Sequence, residues 1–236
     1  MPAASSSLRR FDDTSVALRA KRLIGIVGFT PVLDIFPLSN ALVDELRRRL
    51  PSDGSIVIEN MTWGPLHIVQ RFQDPEAIQP ERVVLVGAAS ISTKPGRVQA
   101  HRWLGGKLPI NATLERVYEA VTGIVDIENT LVIGEHFGIW PAECFVVEAD
   151  MPADTFGVLV MADNGKKTDD STLERQLGFS PRRIRRDIAA IAAALAIDGA
   201  DARVPFDDKV ATALPPNAKF MRTRVVSGAA EDRRDN

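Results

Sequence analysis

A chain of 236 residues with 45% hydrophobic residues can bury a full core, and it suits one α/β domain with ordered additions better than two domains. A net charge of −2 leaves no overall pull toward nucleic acid or a membrane surface. The single cysteine, Cys144, excludes an intramolecular disulfide framework and suits a reducing cytoplasm. Its setting, ECFVVEA, reads as a core strand with a buried, inert thiol.

Residues 1–20 are rich in Ser, Ala and charge and are expected to be disordered. They carry no apolar h-region, and no apolar run in the chain approaches the roughly 18 residues that span a bilayer, so no signal peptide and no membrane segment are expected. The first strand is expected at 22–28, where a β-branched apolar run stops at Gly28. A short loop carrying one acid, Asp34, leads to an amphipathic helix over 38–50, with Leu38, Leu42, Leu46 and Leu50 on one face. Pro51 and Gly54 punctuate its end. Residues 55–59 (SIVIE) read as a strand and 64–72 as a short helix. Residues 82–88 (RVVLVGA) form the continuous apolar run of a buried parallel strand.

After a turn at Lys94-Pro95-Gly96, residues 97–103 read as a further strand. Asn111 is placed to cap a helix whose apolar stripe is Leu114, Val117, Tyr118 and Val121, ending at Gly123. Residues 130–134 (TLVIG) and 143–149 read as strands. Residues 163–172 are polar and turn-rich and are expected to be a surface insertion. Ser180-Pro181 opens a helix that runs through Ile184, Ile188, Ile191 and Leu195 to Gly199. Residues 201–236 form an extension whose last ten or so are expected to be disordered. The expected architecture is a single domain over 21–200. It has a twisted, mostly parallel five-stranded sheet, made of 22–28, 55–59, 82–88, 130–134 and 143–149, with helices on both faces and a C-terminal helix.

Four phrases carry a resemblance: IVGFTPVLD after the first strand, VVLVGAAS followed by KPGRV, TLVIGEHFGIWP, and VVEADMPADTFG. In order and spacing they resemble the nickel–iron hydrogenase maturation endopeptidases, over roughly residues 22–160, with 177–195 continuing the likeness. That family has one α/β domain with a twisted, mostly parallel sheet and removes a C-terminal extension from the hydrogenase large subunit after nickel insertion. The resemblance therefore implies a hydrogenase large subunit, or its C-terminal peptide, as the partner. It also implies a cleft lined here by Thr30, Ile35, Gly87, Glu135 and Trp140. Its first motif, G-N-x-L-x-x-D-[DE]-G-x-G, lays its asparagine on Phe29, its first aspartate on Asp34, its metal-binding acid on Ile35 and its later glycines on Phe36 and Leu38. The aspartate that ends its third strand falls on Gly87, and the histidine before its next helix is missing from LPINATLERV.

A divalent metal site needs three or four N, O or S donors converging on one point, and isoleucine and glycine side chains offer none. Two readings follow. A relocated metal or acid/base site could draw on Asp34, Glu59 and His136, with Glu135, because the ends of neighbouring parallel strands face one crevice. Nickel binding there would be weak and pH-dependent. Alternatively, Asp34 caps the following helix, Glu59 makes a surface ion pair and His136 satisfies loop backbone groups. His67 and His101 read as partly buried structural histidines.

Other chemistry is not supported. The loop after the first strand lacks the glycine and lysine pattern of a phosphate loop, and no G-x-S-x-G elbow occurs. A likeness of 28–46 to the opening of pyroglutamyl peptidases is not continued downstream by their cysteine and histidine phrases. Arg182, Arg183, Arg185 and Arg186 sit in the first turns of a helix, where cations oppose the macrodipole. They read either as a patch that meets an acidic partner or as a solvated face. No aromatics are interleaved with them, which argues against nucleic acid. Trp63, Trp103, Phe137 and Trp140 either line a peptide groove or plug the core beneath the loops.

Overall fold

The computed structural model describes residues 21–27, 41–62, 64–89, 94–121, 127–151 and 170–211. The chain forms an α/β fold around one six-stranded sheet of order β2-β1-β3-β5-β4-β6. In chain order, β1 is Arg22–Val27, α1 Ala41–Arg47, β2 Ile56–Met61 and α2 Pro65–Gln73. Then come β3 Arg82–Ala89, β4 Val98–Trp103, α3 Ile110–Val121, α4 Ile127–His136 and β5 Glu143–Asp150. The described chain closes with α5 Asp170–Leu177, α6 Pro181–Asp198, a 3-10 turn at Gly199–Asp201 and the short β6 Asp207–Lys209.

The apolar runs at 22–27 and 82–89 take the centre of the sheet, where a strand covered on both faces needs hydrophobic residues at every position. Leu23 to Val27 and Val83 to Val86 are buried throughout, and the missing side chain of Gly25 admits Met61 and Leu85. β1 pairs parallel with β2 and β3, and β3 pairs parallel with β5. β4 runs antiparallel beside β5, and β6 pairs parallel with β4. Four of the five expected strands therefore lie in the sheet, together with the run at 97–103, and β6 adds a sixth from the C-terminal extension.

The fifth expected strand is a helix. Residues 130–134 belong to α4, and the sheet position beside β3 is taken by β5. A short apolar run does not reveal its period when every side is buried. Ile127 to Gly134 are all buried, because α4 is enclosed between the sheet, α2 and α3.

One face of the sheet carries α1 and α6. Leu42, Val43 and Leu46 of α1 meet Ile184, Ile188, Ala192 and Leu195 of α6 over Ile24, Val84 and Phe145. The alanines of α6 let its backbone come close to the strands. The other face carries α2 and α4, with Ile68, Phe72, Ile127 and Leu131 over Leu23, Val83, Leu85 and Val146.

α3 departs from expectation in the opposite sense to α4. It begins at Ile110, with the Thr113 amide bonded to the Pro109 carbonyl, so Asn111 sits inside the first turn and is not the cap. Its buried residues are Thr113, Arg116 and Ala120, while Leu114, Tyr118 and Val121 of the expected core stripe face solvent.

Arg82 ties the end of α6 to β3 and β5 at the N-terminal edge of the sheet. Its guanidinium donates to Glu143 Oε2 at 2.8 and 2.6 Å, and to the carbonyls of Ala196 and Ile197 at 3.1 and 2.9 Å. A cation at a helix C-terminus is favourable for the orphan carbonyls there. Replacing Arg82 by Ala should lower the unfolding free energy in urea by about 2 kcal/mol, with Lys recovering only part, because a point charge cannot reproduce the fork.

Candidate functional site

In an open α/β sheet, ligands bind in the crevice outside the carboxyl ends of the parallel strands. Here β1, β3 and β5 end together, since Ile26 pairs with Val86 and Ala89 with Asp150. The segments that continue them (28–40, 90–93 and 152–169) lie outside the described residues, as do Thr30, Asp34, Ile35 and Trp63. Gly87 is described, and its surroundings are decisive. A Cβ there would stand 2.6 Å from Cδ1 of Ile127 and 2.9 Å from the carbonyl oxygen of Val27. The first turn of α4 thus fills the space that a side chain at this position would need.

The Glu135–His136 pair does not join Gly87. Ile127 opens α4 above Gly87, whereas His136 closes the same ten-residue helix, roughly 15 Å away along its axis. The expected crevice of Gly87 with Glu135 and His136 is therefore not formed, because a helix stands where a strand was expected. Glu135 accepts a hydrogen bond from Trp103 Nε1 at 3.2 Å. His136 is exposed and meets Phe137 edge to face, with ring centroids 5.2 Å apart. Trp140 is half-buried and packs against α2 and α4. Its Nε1 donates to the Leu131 carbonyl at 2.9 Å, its indole covers Gly134, and it meets Phe72 edge to face at 5.2 Å. Trp103 is buried, so it is a core plug, with the half-buried Trp140 packed against the same core.

Glu59 accepts two hydrogen bonds from Arg71, at 2.8 and 2.6 Å, and Arg71 lies over the Phe72 ring. This is the ion-pair reading of Glu59, and the pairing competes with metal ligation. No group of three or more His, Cys, Asp or Glu side chains among the described residues could hold a metal ion. Nickel therefore does not fit the described donors: Gly87 supplies none, Glu59 is committed to Arg71, and His136 stands at the far end of α4 from Gly87.

The four arginines of α6 do not form one patch. Arg185 is buried, Arg183 donates to the Gly96 carbonyl at 3.0 Å, and Arg186 lies 3.8 Å from Asp187. Arg182, Arg183 and Arg186 are exposed, so what stands at the surface is three separate cations rather than the four-residue cluster. Cys144 is buried, and burial pushes its thiol pKa up, consistent with an inert core residue. His67 is exposed, not partly buried.

Two polar groups escaped the sequence reading. Arg116, wholly buried, donates to Asn129 Oδ1 and Glu128 Oε1, each at 3.0 Å, and so locks α3 onto α4. Nothing but the Thr113–Arg116–Ala120 spacing could have signalled that the polar face points inward. The second group lies on β4 and β5, where Gln99 donates to Asp150 Oδ1 at 2.7 Å and His101 Nδ1 lies 3.8 Å from Glu148 Oε2. That separation is too long for a hydrogen bond. Burial, with the Lys209 charge adding to it, lowers the His101 pKa to about 3, so the imidazole is neutral at neutral pH. A buried neutral imidazole is the structural histidine that the sequence suggested at this position.

Comparison with protein-family models, curated proteins and solved structures finds no match. No helix among the described residues is long and apolar enough to cross a membrane.

The folded state takes up its His101 proton only near pH 3, whereas an unfolded histidine takes it up near 6.5. The unfolded state therefore binds more protons between these values. The His101 contribution is fully present above about pH 6.5 and is lost as pH falls toward 3. Urea unfolding at pH 7 and pH 5 should show the parent chain losing about 2 kcal/mol more than His101→Gln. Gly87→Asp should cost more than about 2 kcal/mol by thermal or urea unfolding, with part recovered when Ile127→Ala makes room.

Proposed function

We propose that this chain is a hydrogenase-maturation-protease-like protein of the cytoplasm. It engages the C-terminal region of a nickel–iron hydrogenase large subunit during assembly, as a binding and assembly factor, not as a nickel-directed peptidase. The observation that carries this reading is Gly87. Where the resemblance calls for a metal-binding acid, this chain has a glycine, and Ile127 packs against it. The α/β architecture supports the family side of the reading. Three of the quoted phrases follow β1, β3 and β5, which are adjacent, parallel and end at one edge of the sheet. An extended peptide crossing that edge would meet the ends of all three strands. The fourth phrase, TLVIGEHFGIWP, contributes packing, since its residues form the second half of α4 and the packed Trp140.

The test uses the full chain and a fluorescent peptide spanning the C-terminal region of a nickel–iron hydrogenase large subunit. Anisotropy reports binding, and mass spectrometry of the same mixture, with and without nickel, reports cleavage. The expected result is saturable binding at roughly micromolar concentration with the peptide intact. A nickel-dependent product would make the chain a peptidase, and no binding up to about millimolar peptide would overturn the reading altogether.

A further inference from the structure

α3 presents an apolar face that is left exposed, with no described element packed on it. Ile110, Leu114, Tyr118 and Val121 are 58%, 56%, 70% and 64% exposed, on a helix whose opposite side is fixed by the buried Arg116. Their spacing of four, four and three residues puts them in one stripe. Patches of this kind mark binding surfaces. The exposed Leu104 and Val210 stand at the corner where the described chain ends.

That corner lies beside α3. The amide of Ala211, the last described residue, donates to the Gly105 carbonyl at 3.0 Å, and α3 starts five residues after Gly105. Five residues span at most about 17 Å. After Thr212 and Ala213 the sequence continues with LPPNAKFMRTRVV, in which Phe220, Met221, Val225 and Val226 lie among the cations Lys219, Arg222 and Arg224. The nine residues from Ala211 to Phe220 can span up to about 30 Å, and α3 is only about 18 Å long, so this segment can reach the whole stripe. The charges are complementary. Glu115 is exposed and borders the stripe, while the half-buried Glu119 beyond it accepts a hydrogen bond from Asn129 Nδ2 at 3.3 Å. A second copy of the chain would bring acid against acid along this edge, whereas Lys219, Arg222 and Arg224 bring cations.

We propose that residues 217–226 of this chain dock on the outward face of α3. Phe220 and Met221 cover Leu114 and Tyr118, and the flanking cations face Glu115. A short tether gives the segment a millimolar effective concentration, so a contact too weak to hold a separate peptide is still populated.

Tyr118 is the chain's one tyrosine, which makes it a selective reporter. The full chain is compared with Phe220→Ser/Met221→Ser and with Arg222→Glu/Arg224→Glu. The readouts are the rate of Tyr118 acetylation by N-acetylimidazole and amide hydrogen exchange over residues 110–121. The expected result is that both variants react and exchange about threefold faster or more than the parent, equally at low and high protein concentration. Rates that do not differ between parent and variants overturn the proposal. Protection that grows with protein concentration also overturns it, in favour of a second copy on this face.

Discussion

The contact between Ile127 and Gly87 sets the position of everything on one face of the sheet. A side chain on β3 at this point would drive α4 outward, whereas glycine lets the first turn of α4 sit on the strands. Once there, α4 is enclosed, and its polar residues Glu128 and Asn129 are buried with it. Buried polar groups must be satisfied. Arg116 of α3 satisfies them, and by doing so it fixes which side of α3 faces inward. The outward apolar stripe of α3 is thus a consequence of packing several residues away, at the centre of the sheet.

Replacing a buried ion pair by apolar residues is often neutral or stabilising, so Arg116 and Glu128 are not explained by stability alone. An α3 rolled to bury Leu114, Tyr118 and Val121 would gain the burial of three large side chains, about 1.5–3 kcal/mol each. The fold instead holds the stripe outward with a charged anchor. That choice is intelligible if the stripe has an occupant, and the cationic, apolar segment that follows Ala211 has the complementary chemistry.

Much of the sheet was legible because continuous β-branched runs such as 22–27 and 82–89 have few alternatives to a buried parallel strand. α6 was legible from Ser180-Pro181 at its start and Gly199 at its end, where the observed caps fall. TLVIG was not, since its burial on all sides erased the period that distinguishes helix from strand. Of the expected α3 stripe only Val117 packs inward, while Leu114, Tyr118 and Val121 face outward, because amphipathicity gives a direction only if the polar face is solvated. The candidate site was legible only as an alignment. Sequence showed that Gly87 lacks a donor, but not that Ile127 covers it, and strand-end logic failed for Glu135 and His136 once their segment became a helix. Glu59 was readable as an ion-pair member, though not that Arg71, twelve residues on, is its partner.

These features describe an α/β protein in which Gly87 serves helix packing, Glu59 an ion pair with Arg71 and Glu135 a hydrogen bond from Trp103. The most direct test is equilibrium dialysis of the full chain against nickel at neutral pH, with bound metal counted per chain. The account requires no saturable site at micromolar nickel, because a firm site needs about three converging protein ligands. One nickel per chain at micromolar concentration, lost in Asp34→Ala or His136→Ala, would contradict it and restore a relocated metal centre.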